Sequence, residues 1–213
     1  MRTPEPQSVW HHITTKVKVE SDPYWNLFVE GQVLKFLSDE RVAFPSNRLI
    51  GLKTALREAF INAIKHGNWN DCWKKEMEPT KKMKNKLVTV SVAVKAITPT
   101  SMEVKKSVGD TIEVVRRDVC DRILTITIDD RGKGFSPDDV ANPTDPDRIE
   151  LEYGRGILMM NHYCDQVVYP EKQGGRRVVM TWLYSSKEGG SPPVPSEAFQ
   201  ESPPGDPLTP DGD

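Results

Sequence analysis

Glu58 and Asn62 are residues whose types and spacing suit chemistry. They stand four positions apart among apolar residues at helical spacing, so both side chains project from one helix face, with His66 a turn further along as another candidate. The amide oxygen of Asn62 suits Mg²⁺, a hard cation that takes oxygen ligands. A carboxylate one turn away can orient a nucleophile and accept its proton. The alternative is a helix edge facing solvent, with Glu58 and Lys65 as ordinary surface charges.

Asp130 ends a run of strand residues and is followed by Gly132 and Gly134. A carboxylate there can accept a hydrogen bond from the exocyclic amine of adenine, whereas guanine presents an oxygen at that place and would be repelled. The two glycines allow the backbone to approach a ring closely. A plain Asp-x-Gly turn between a strand and a loop explains the same residues without any ligand.

Gly154, Arg155 and Gly156 directly precede an apolar stretch that predicts a helix beginning at Ile157. Free backbone N–H groups and the helix dipole attract an anion at such a place, and Arg155 can add a charge-assisted contact. A simple loop-to-helix hinge is the alternative. The three motifs together, in this order, favour one nucleotide site. No Walker pattern and no strand–Gly-x-Gly-x-x-Gly–helix fingerprint competes with it.

The composition narrows the class of protein. The 213 residues are 37% hydrophobic and 28% charged, as in an ordinary globular protein. Residues 185–213 hold one lysine and six acids, and because the whole chain carries −2, the remainder carries +3. That small positive balance suits an anionic small ligand and argues against a nucleic-acid surface. The three cysteines follow no metal-ligand pattern, and neither a signal peptide nor a run of about 20 apolar residues is visible, so we expect a cytoplasmic protein without a membrane span.

The elements that must position these residues follow from the periodicity of apolar side chains. Helices are predicted over 23–37, 45–66 and 157–163, and Gly67 is predicted to end the second of them in a positive-φ conformation. Strands are predicted over 13–20, 87–94, 111–115, 122–129, 165–169 and 177–183, with turns at 98–100 and 109–110 and a lysine-rich loop over 74–86.

This order of elements predicts an α+β fold, a two-layer sandwich with helices on one face of a mixed, mostly antiparallel sheet. We expect residues 1–9 to be an N-terminal extension and residues 10–184 to form the domain. Residues 185–213 are rich in Pro, Gly, Ser and acids, and we expect a disordered tail there.

The motifs and their order resemble those of the Bergerat-fold (GHKL) ATPases, and within that superfamily the stand-alone RsbW-type anti-sigma-factor serine kinases. The resemblance covers residues 10–184. Residues 137–139 and 142–146 are similar to the short lid of that subfamily. The shared motifs are Glu58-x3-Asn62, Asp130-x-Gly132-x-Gly134-Phe135 and Gly154-Arg155-Gly156-Ile157-Leu158-Met159-Met160.

The resemblance implies that ATP and Mg²⁺ are the cofactors. It implies Asn62 as the Mg²⁺ ligand, Glu58 as the catalytic carboxylate and Asp130 as the residue that binds adenine. Gly132 and Gly134 would line the base. The residues expected at the phosphates are Gly154, Arg155 and Gly156, with Ile157 beside them.

Members of that subfamily phosphorylate a serine or threonine on a small STAS-type antagonist protein, sequester a sigma factor when the antagonist is not bound, and tend to be homodimers. The resemblance implies the same partners for this chain. Two alternatives stay open: an ATP-gated binding module that transfers nothing, and a detached histidine-kinase-like catalytic domain. The stretch 96–122 is longer than is usual in the subfamily and suggests an added hairpin at a partner interface.

Overall fold

The computed structural model describes residues 12–40, 42–108, 111–134, 155–170 and 174–188. Four features expected from the sequence fall wholly or largely outside the described residues. These are the extension over 1–9, the lid-like residues 137–146, Gly154, and the tail beyond Glu188.

An antiparallel sheet of five strands forms one layer of the fold, in the order β1-β2-β3-β5-β4. Side chains alternate between its two faces, so Leu124, Ile126 and Ile128 are buried while the intervening Thr125 and Thr127 stay half-buried on the other face. The strands are β1 (His12–Glu20), β2 (Leu87–Val108), β3 (Thr111–Asp129), β4 (Gln166–Val168) and β5 (Arg177–Tyr184).

Helices supply the second layer, and they pack on the buried face of the sheet in one core. Residues at helical spacing, such as Val29, Val33 and Leu37, are fully buried, as are Leu52 and Leu56. The α+β two-layer prediction is therefore confirmed. The helices are α1 (Trp25–Asp39), α2 (Leu49–Asn62), α3 (Lys81–Lys84) and α4 (Gly156–Tyr163). None of the helices in the described part of the chain is long and apolar enough to span a membrane.

The end of α2 differs from the prediction. The α-helix ends at Asn62, and a π-helical turn continues from Ala63 to Asn68. Gly67 lies inside this turn and does not have a positive φ. Asn70 and Asp71 adopt the positive-φ conformation instead. The expected role of Gly67 as a left-handed helix stop is therefore wrong. The predicted lysine-rich loop over 74–86 also contains helical turns, one of which is α3.

The added hairpin expected over 96–122 is confirmed, and it continues β2 and β3 as one long ribbon rather than as separate strands. β2 and β3 remain paired from Thr89↔Asp129 out to Val108↔Thr111, with register shifts between Ala96 and Met102. The predicted turn at 98–100 is wrong because Pro99, which cannot donate to a ladder, sits at these shifts, where a bulge accommodates it.

Two sets of contacts position α2, one with α4 and one with β5. The ring of Tyr163 lies over Gly51, and the other end of α4 reaches Glu58, so α2 and α4 run antiparallel. Arg48, just before α2, donates to Asp165 Oδ2 and to the Leu183 carbonyl, both at 2.7 Å. Because Asp165 also accepts from the Leu183 N–H at 2.7 Å, this buried ion pair ties the start of α2 to β5.

Candidate functional site

Glu58 and Asn62 meet the first turn of α4. A methyl group built on Gly156 would lie 2.8 Å from Glu58 Oε2 and 3.1 Å from Asn62 Nδ2. Glycine at this position therefore leaves the space in which both polar side chains face the helix N-terminus. The structure brings together a carboxylate, an amide and the free N–H groups at the start of α4, a combination suited to holding phosphate and a hydroxyl nucleophile.

The π-helical turn directly follows Asn62, the last residue of α2. Such turns recur at functional sites, because the additional residue re-aims the side chains that follow it. His66 lies on this turn beside the cleft, and its Nδ1 is 2.5 Å from Asp71 Oδ1. Asp71 thus fixes the orientation of the His66 ring.

Asp130 lies at the end of β3, packed against the end of the π-helical turn. A methyl group on Gly67 would lie 2.5 Å from Asp130 Cγ, so only glycine allows the carboxylate this position. Gly132 is equally constrained, because a side chain there would collide with the Gly67 carbonyl. The Gly132 N–H donates to Asp130 Oδ1 at 2.6 Å, and the Asp130 N–H donates to the Arg176 carbonyl at 3.0 Å.

The electrostatic state of Asp130 is unusual for an aspartate. Burial raises its pKa to about 6, even though the Gly132 N–H and the charges of Arg176 and Lys86 act in the opposite direction. Nearby Asp129 adds to the rise. A carboxylate that is costly to ionise gains from any ligand that donates a hydrogen bond to it, so this group is suited to reading a donor on a bound base.

One cleft lies between α2, the π-helical turn, the end of β3 and the start of β5. Its polar groups include Asn62, His66 and Asp130, three of the side chains that the sequence singled out. Gly134, with a φ of +82°, lies at the same cleft and packs against the backbone of Gly174. The other lining residues are Ala59, Ala63, Gly67, Ile128, Met160, Tyr169, Gly175, Arg177 and Val178.

Of the residues predicted at the phosphates, three are described. Gly156 begins α4 beside Glu58, and Arg155 lies exposed at the residue before the helix. Ile157 is half-buried and packs against the core, so its side chain contributes to holding α4. Gly154 lies outside the described residues.

Comparison with known families decides the class of this site. The chain matches the family model of the histidine kinase-like ATPase domain over residues 31–182, which is well over half its length and includes every motif described above. The chain belongs to the histidine kinase-like ATPase family. Comparison with curated proteins finds no match.

Membership in the histidine kinase-like ATPase family makes the chain an ATP-binding module of the GHKL type with the Bergerat fold. Asp130 lines one end of the cleft, and Gly156 begins α4 beside Glu58 and Asn62. Gly67, beside Asp130, lies nine residues after Glu58, beside Gly156, and the path between them follows α2 and the π-helical turn over at most roughly 14 Å at the α-helical rise per residue. That separation suits a nucleotide lying along the helix.

Several residues that line the cleft of this ATPase domain could not be singled out from the sequence. Ala59, Ala63 and Ile128 follow the apolar periodicity of their elements, which is equally typical of core residues. Their positions next to Asn62 and Asp130 in the chain are the signal that could have found them. Tyr169 directly follows β4 and Val178 lies on β5. On this hairpin no chemical signal in the sequence distinguishes a residue of the cleft from a residue of the core.

Proposed function

We propose that this chain is an ATP-dependent serine/threonine protein kinase of a partner-switching pathway. It would phosphorylate a small STAS-type antagonist protein and sequester a sigma factor when that antagonist is not bound. The observation that carries the proposal is the position of the Glu58 carboxylate beside Asn62 and Gly156. In the proposal this is the phosphate end of the site. A module that only binds ATP has no need of a carboxylate there.

The base end of the cleft supports ATP as the phosphate donor. Ionised Asp130 accepts hydrogen bonds only, so it pairs with the amine of adenine and repels the oxygen that guanine places there. The apolar side chains of Ala63, Ile128 and Met160 offer a dry surface for the ring.

The donor set fits Mg²⁺ held jointly with a nucleotide. In the described ranges no group of three or more His, Cys, Asp or Glu side chains is placed to hold a metal by itself. Asn62 offers one amide oxygen at the phosphate end, which matches a cation that keeps waters and takes its remaining ligands from phosphate oxygens. Asn62 would hold the ion, which when bound neutralises charge on the phosphates.

The side chains then suggest how transfer proceeds. Glu58 accepts a hydrogen bond from the incoming serine or threonine hydroxyl and takes its proton as the bond from that oxygen to the γ-phosphorus forms. The bond between the γ-phosphorus and the bridging oxygen breaks, and ADP leaves with the electron pair. The N–H groups at the start of α4, beginning at Gly156, contact the phosphate oxygens. Catalysis rests mainly on positioning and charge neutralisation.

The resemblance to RsbW-type kinases, whose motifs this chain shares, supports the remaining parts of the proposal: an antagonist and a sigma factor as partners, a homodimer, and a cytoplasmic location. The long ribbon formed by β2 and β3 beyond residue 96 offers additional surface for such a partner.

A transfer assay with a matched control tests the proposal. Purified chain is mixed with radiolabelled ATP, Mg²⁺ and candidate STAS-type proteins, comparing the unaltered chain with Glu58→Gln and Glu40→Gln. We expect Glu58→Gln to lower transfer by about 10²-fold while ATP affinity changes less than about threefold. Glu40 is exposed at the end of α1 and away from the cleft, so Glu40→Gln should transfer normally.

The same assay separates the alternatives. Phosphate on the acceptor that survives acid supports serine or threonine transfer, whereas acid-labile phosphate supports a histidine-kinase-like catalytic domain. ATP-dependent capture of a partner without any transfer supports a binding module. Near-normal transfer by Glu58→Gln would remove the role given to Glu58.

A further inference from the structure

Asn68 is a fully buried polar residue at the end of the π-helical turn, and its side chain joins three separate segments. Its Oδ1 accepts a hydrogen bond from the Arg131 N–H at 2.7 Å. Its Nδ2 donates to Ser21 Oγ at 2.5 Å and to the Leu87 carbonyl at 3.4 Å. A buried amide with all its groups engaged holds its neighbours in one arrangement, because any other arrangement leaves polar groups unpaired.

The segments behind Asn68 are themselves fixed. Ser21 is fully buried; its Oγ donates to the Lys86 carbonyl at 2.6 Å and its N–H donates to the Lys84 carbonyl at 2.9 Å. The indole N–H of Trp69 donates to the Ser21 carbonyl at 3.0 Å. The turn after β1, the start of β2 and the end of the π-helical turn therefore form one rigid support for the Asn68 amide.

On the side of the cleft, the Asn68 amide holds the turn that carries Asp130. Three successive N–H groups, those of Asp130, Arg131 and Gly132, each donate to a different acceptor. The first is bound by the backbone of Arg176 and the third by the Asp130 carboxylate itself. The middle N–H, that of Arg131, is bound by the Asn68 side chain, which links this turn to the α2 side of the cleft.

We propose that Asn68 is a positioning residue for base recognition: by binding the Arg131 N–H it aims the Asp130 carboxylate at the purine and so sets the preference for ATP over GTP. This inference rests on the proposed function, in which Asp130 reads the adenine amine. Asn68 touches neither base nor phosphate in this role. It acts through the backbone of the residue next to Asp130.

Replacing Asn68 would also destabilise the protein if its role were only structural. The control must therefore lose stability from the same buried network while the hydrogen bond from the Arg131 N–H to Asn68 is kept. Ser21→Ala is that control. It removes the acceptor for Asn68 Nδ2 and the bond to Lys86 in the same buried network, but it leaves the bond from Asn68 to Arg131 in place.

The experiment measures the affinities of the unaltered full-length chain, Asn68→Ala and Ser21→Ala for ATP and for GTP by calorimetry with Mg²⁺, together with thermal unfolding. We expect Asn68→Ala to lower the ratio of ATP to GTP affinity about tenfold, chiefly through weaker ATP binding. Ser21→Ala should lose comparable stability and keep the ratio within about twofold. An unchanged ratio in Asn68→Ala, or an equal fall in both variants, overturns the inference.

A measurement on the unaltered chain covers the case in which Asn68→Ala does not fold. Amide hydrogen exchange should show the exposed Arg131 residue with a backbone N–H protected at least 10²-fold, because Asn68 binds it; exchange at the unprotected rate overturns the inference. The proposed function fails differently. If the unaltered chain binds ATP no better than GTP, the role of Asp130 is wrong, whereas an ATP preference that survives Asn68→Ala removes the role of Asn68 alone.

Discussion

The backbone of Gly67 lies directly against the carboxylate of Asp130, with room for no Cβ between them: one placed on Gly67 would stand 2.5 Å from Asp130 Cγ and 2.7 Å from Oδ1. A residue on the α2 side of the cleft therefore sets how deep the carboxylate at the end of β3 can sit.

Gly67→Ala tests this contact. The added methyl group should push the carboxylate out of place and weaken ATP binding by about tenfold or more, measured by calorimetry. Gly67 lies in a helical segment without positive φ, so alanine itself suits the backbone. In an Asp130→Ala background the same change should thus leave the free energy of unfolding unchanged or raise it by up to about 1 kcal/mol. Urea unfolding compares the two backgrounds. If Gly67→Ala lowers the free energy of unfolding equally in both, the carboxylate is not what the methyl group meets.

Asp130→Asn should raise the free energy of unfolding at neutral pH but not at acidic pH. The folded-state pKa of Asp130 is raised from 3.8 to about 6, so between those values the folded protein holds more protons than the unfolded chain. Stability from this group is thus present below pH 4 and is lost as the pH rises through about 6. The neutral amide avoids that loss. Urea unfolding should show the variant more stable by on the order of 1 kcal/mol at pH 7.5, because solvent screens this partly solvated group, and the gain should vanish near pH 4.

The exposed Asp39→Asn at the end of α1 is the matched control for this pH dependence. It should show no comparable gain at pH 7.5. A gain for Asp130→Asn that persists unchanged at pH 4 would contradict the raised pKa as its cause.

Arg48→Ala should destabilise the fold strongly. Asp165 is fully buried, and the change removes its charged partner and the bond to the Leu183 carbonyl. Breaking a buried ion pair from one side costs about 3 kcal/mol or more. Lys35→Ala breaks the exposed pair with Asp39 and should cost no more than about 0.5 kcal/mol in the same urea titration. Similar midpoints for the two variants would argue against a structural role for the Arg48 pair.

Val119→Asn should stabilise the ribbon. Val119 is 53% exposed and has a φ of +47°, a conformation that strains a β-branched side chain and that asparagine tolerates. We expect a gain of about 1 kcal/mol in urea unfolding. The same substitution at Val114, which is similarly exposed but lacks positive φ, should be neutral or slightly destabilising, because asparagine is a poor strand former. If both variants shift alike, backbone strain at Val119 is not the cause.

Much of the fold could be predicted from the sequence because its signals are periodic. Helices α1, α2 and α4 follow apolar residues at helical spacing, and β5 pairs with β4 as a hairpin, as its alternation indicates. The hairpin over 96–122 was expected, but the continuity of its strands with the rest of β2 and β3 was missed for a physical reason. Pro99 between two threonines predicts a turn, but a bulge inside a strand tolerates the same residues, and only the pairing partner across the ladder distinguishes the two.

Within the candidate site, the sequence indicated side chains that bind but not the residues that place them. Glu58, Asn62 and Asp130 were recognisable because their chemistry and spacing are unusual on apolar elements. Asn68 directly follows Gly67, the predicted helix end, and nothing in its sequence surroundings marks it as a positioning residue. Its bond to the Arg131 N–H joins residues 63 positions apart, and no local pattern encodes such a contact.

The π-helical turn has a consequence for the residues that follow it. An α-helix turns by about 100° per residue, and the π-helical turn holds one residue more than an α-helical turn, so a return to α geometry with every residue kept would rotate everything after it by roughly that angle. Gly67 and Asn68 would then face away from the end of β3 although neither had been replaced. The geometry of this one turn therefore constrains the molecule as strictly as residue identity does.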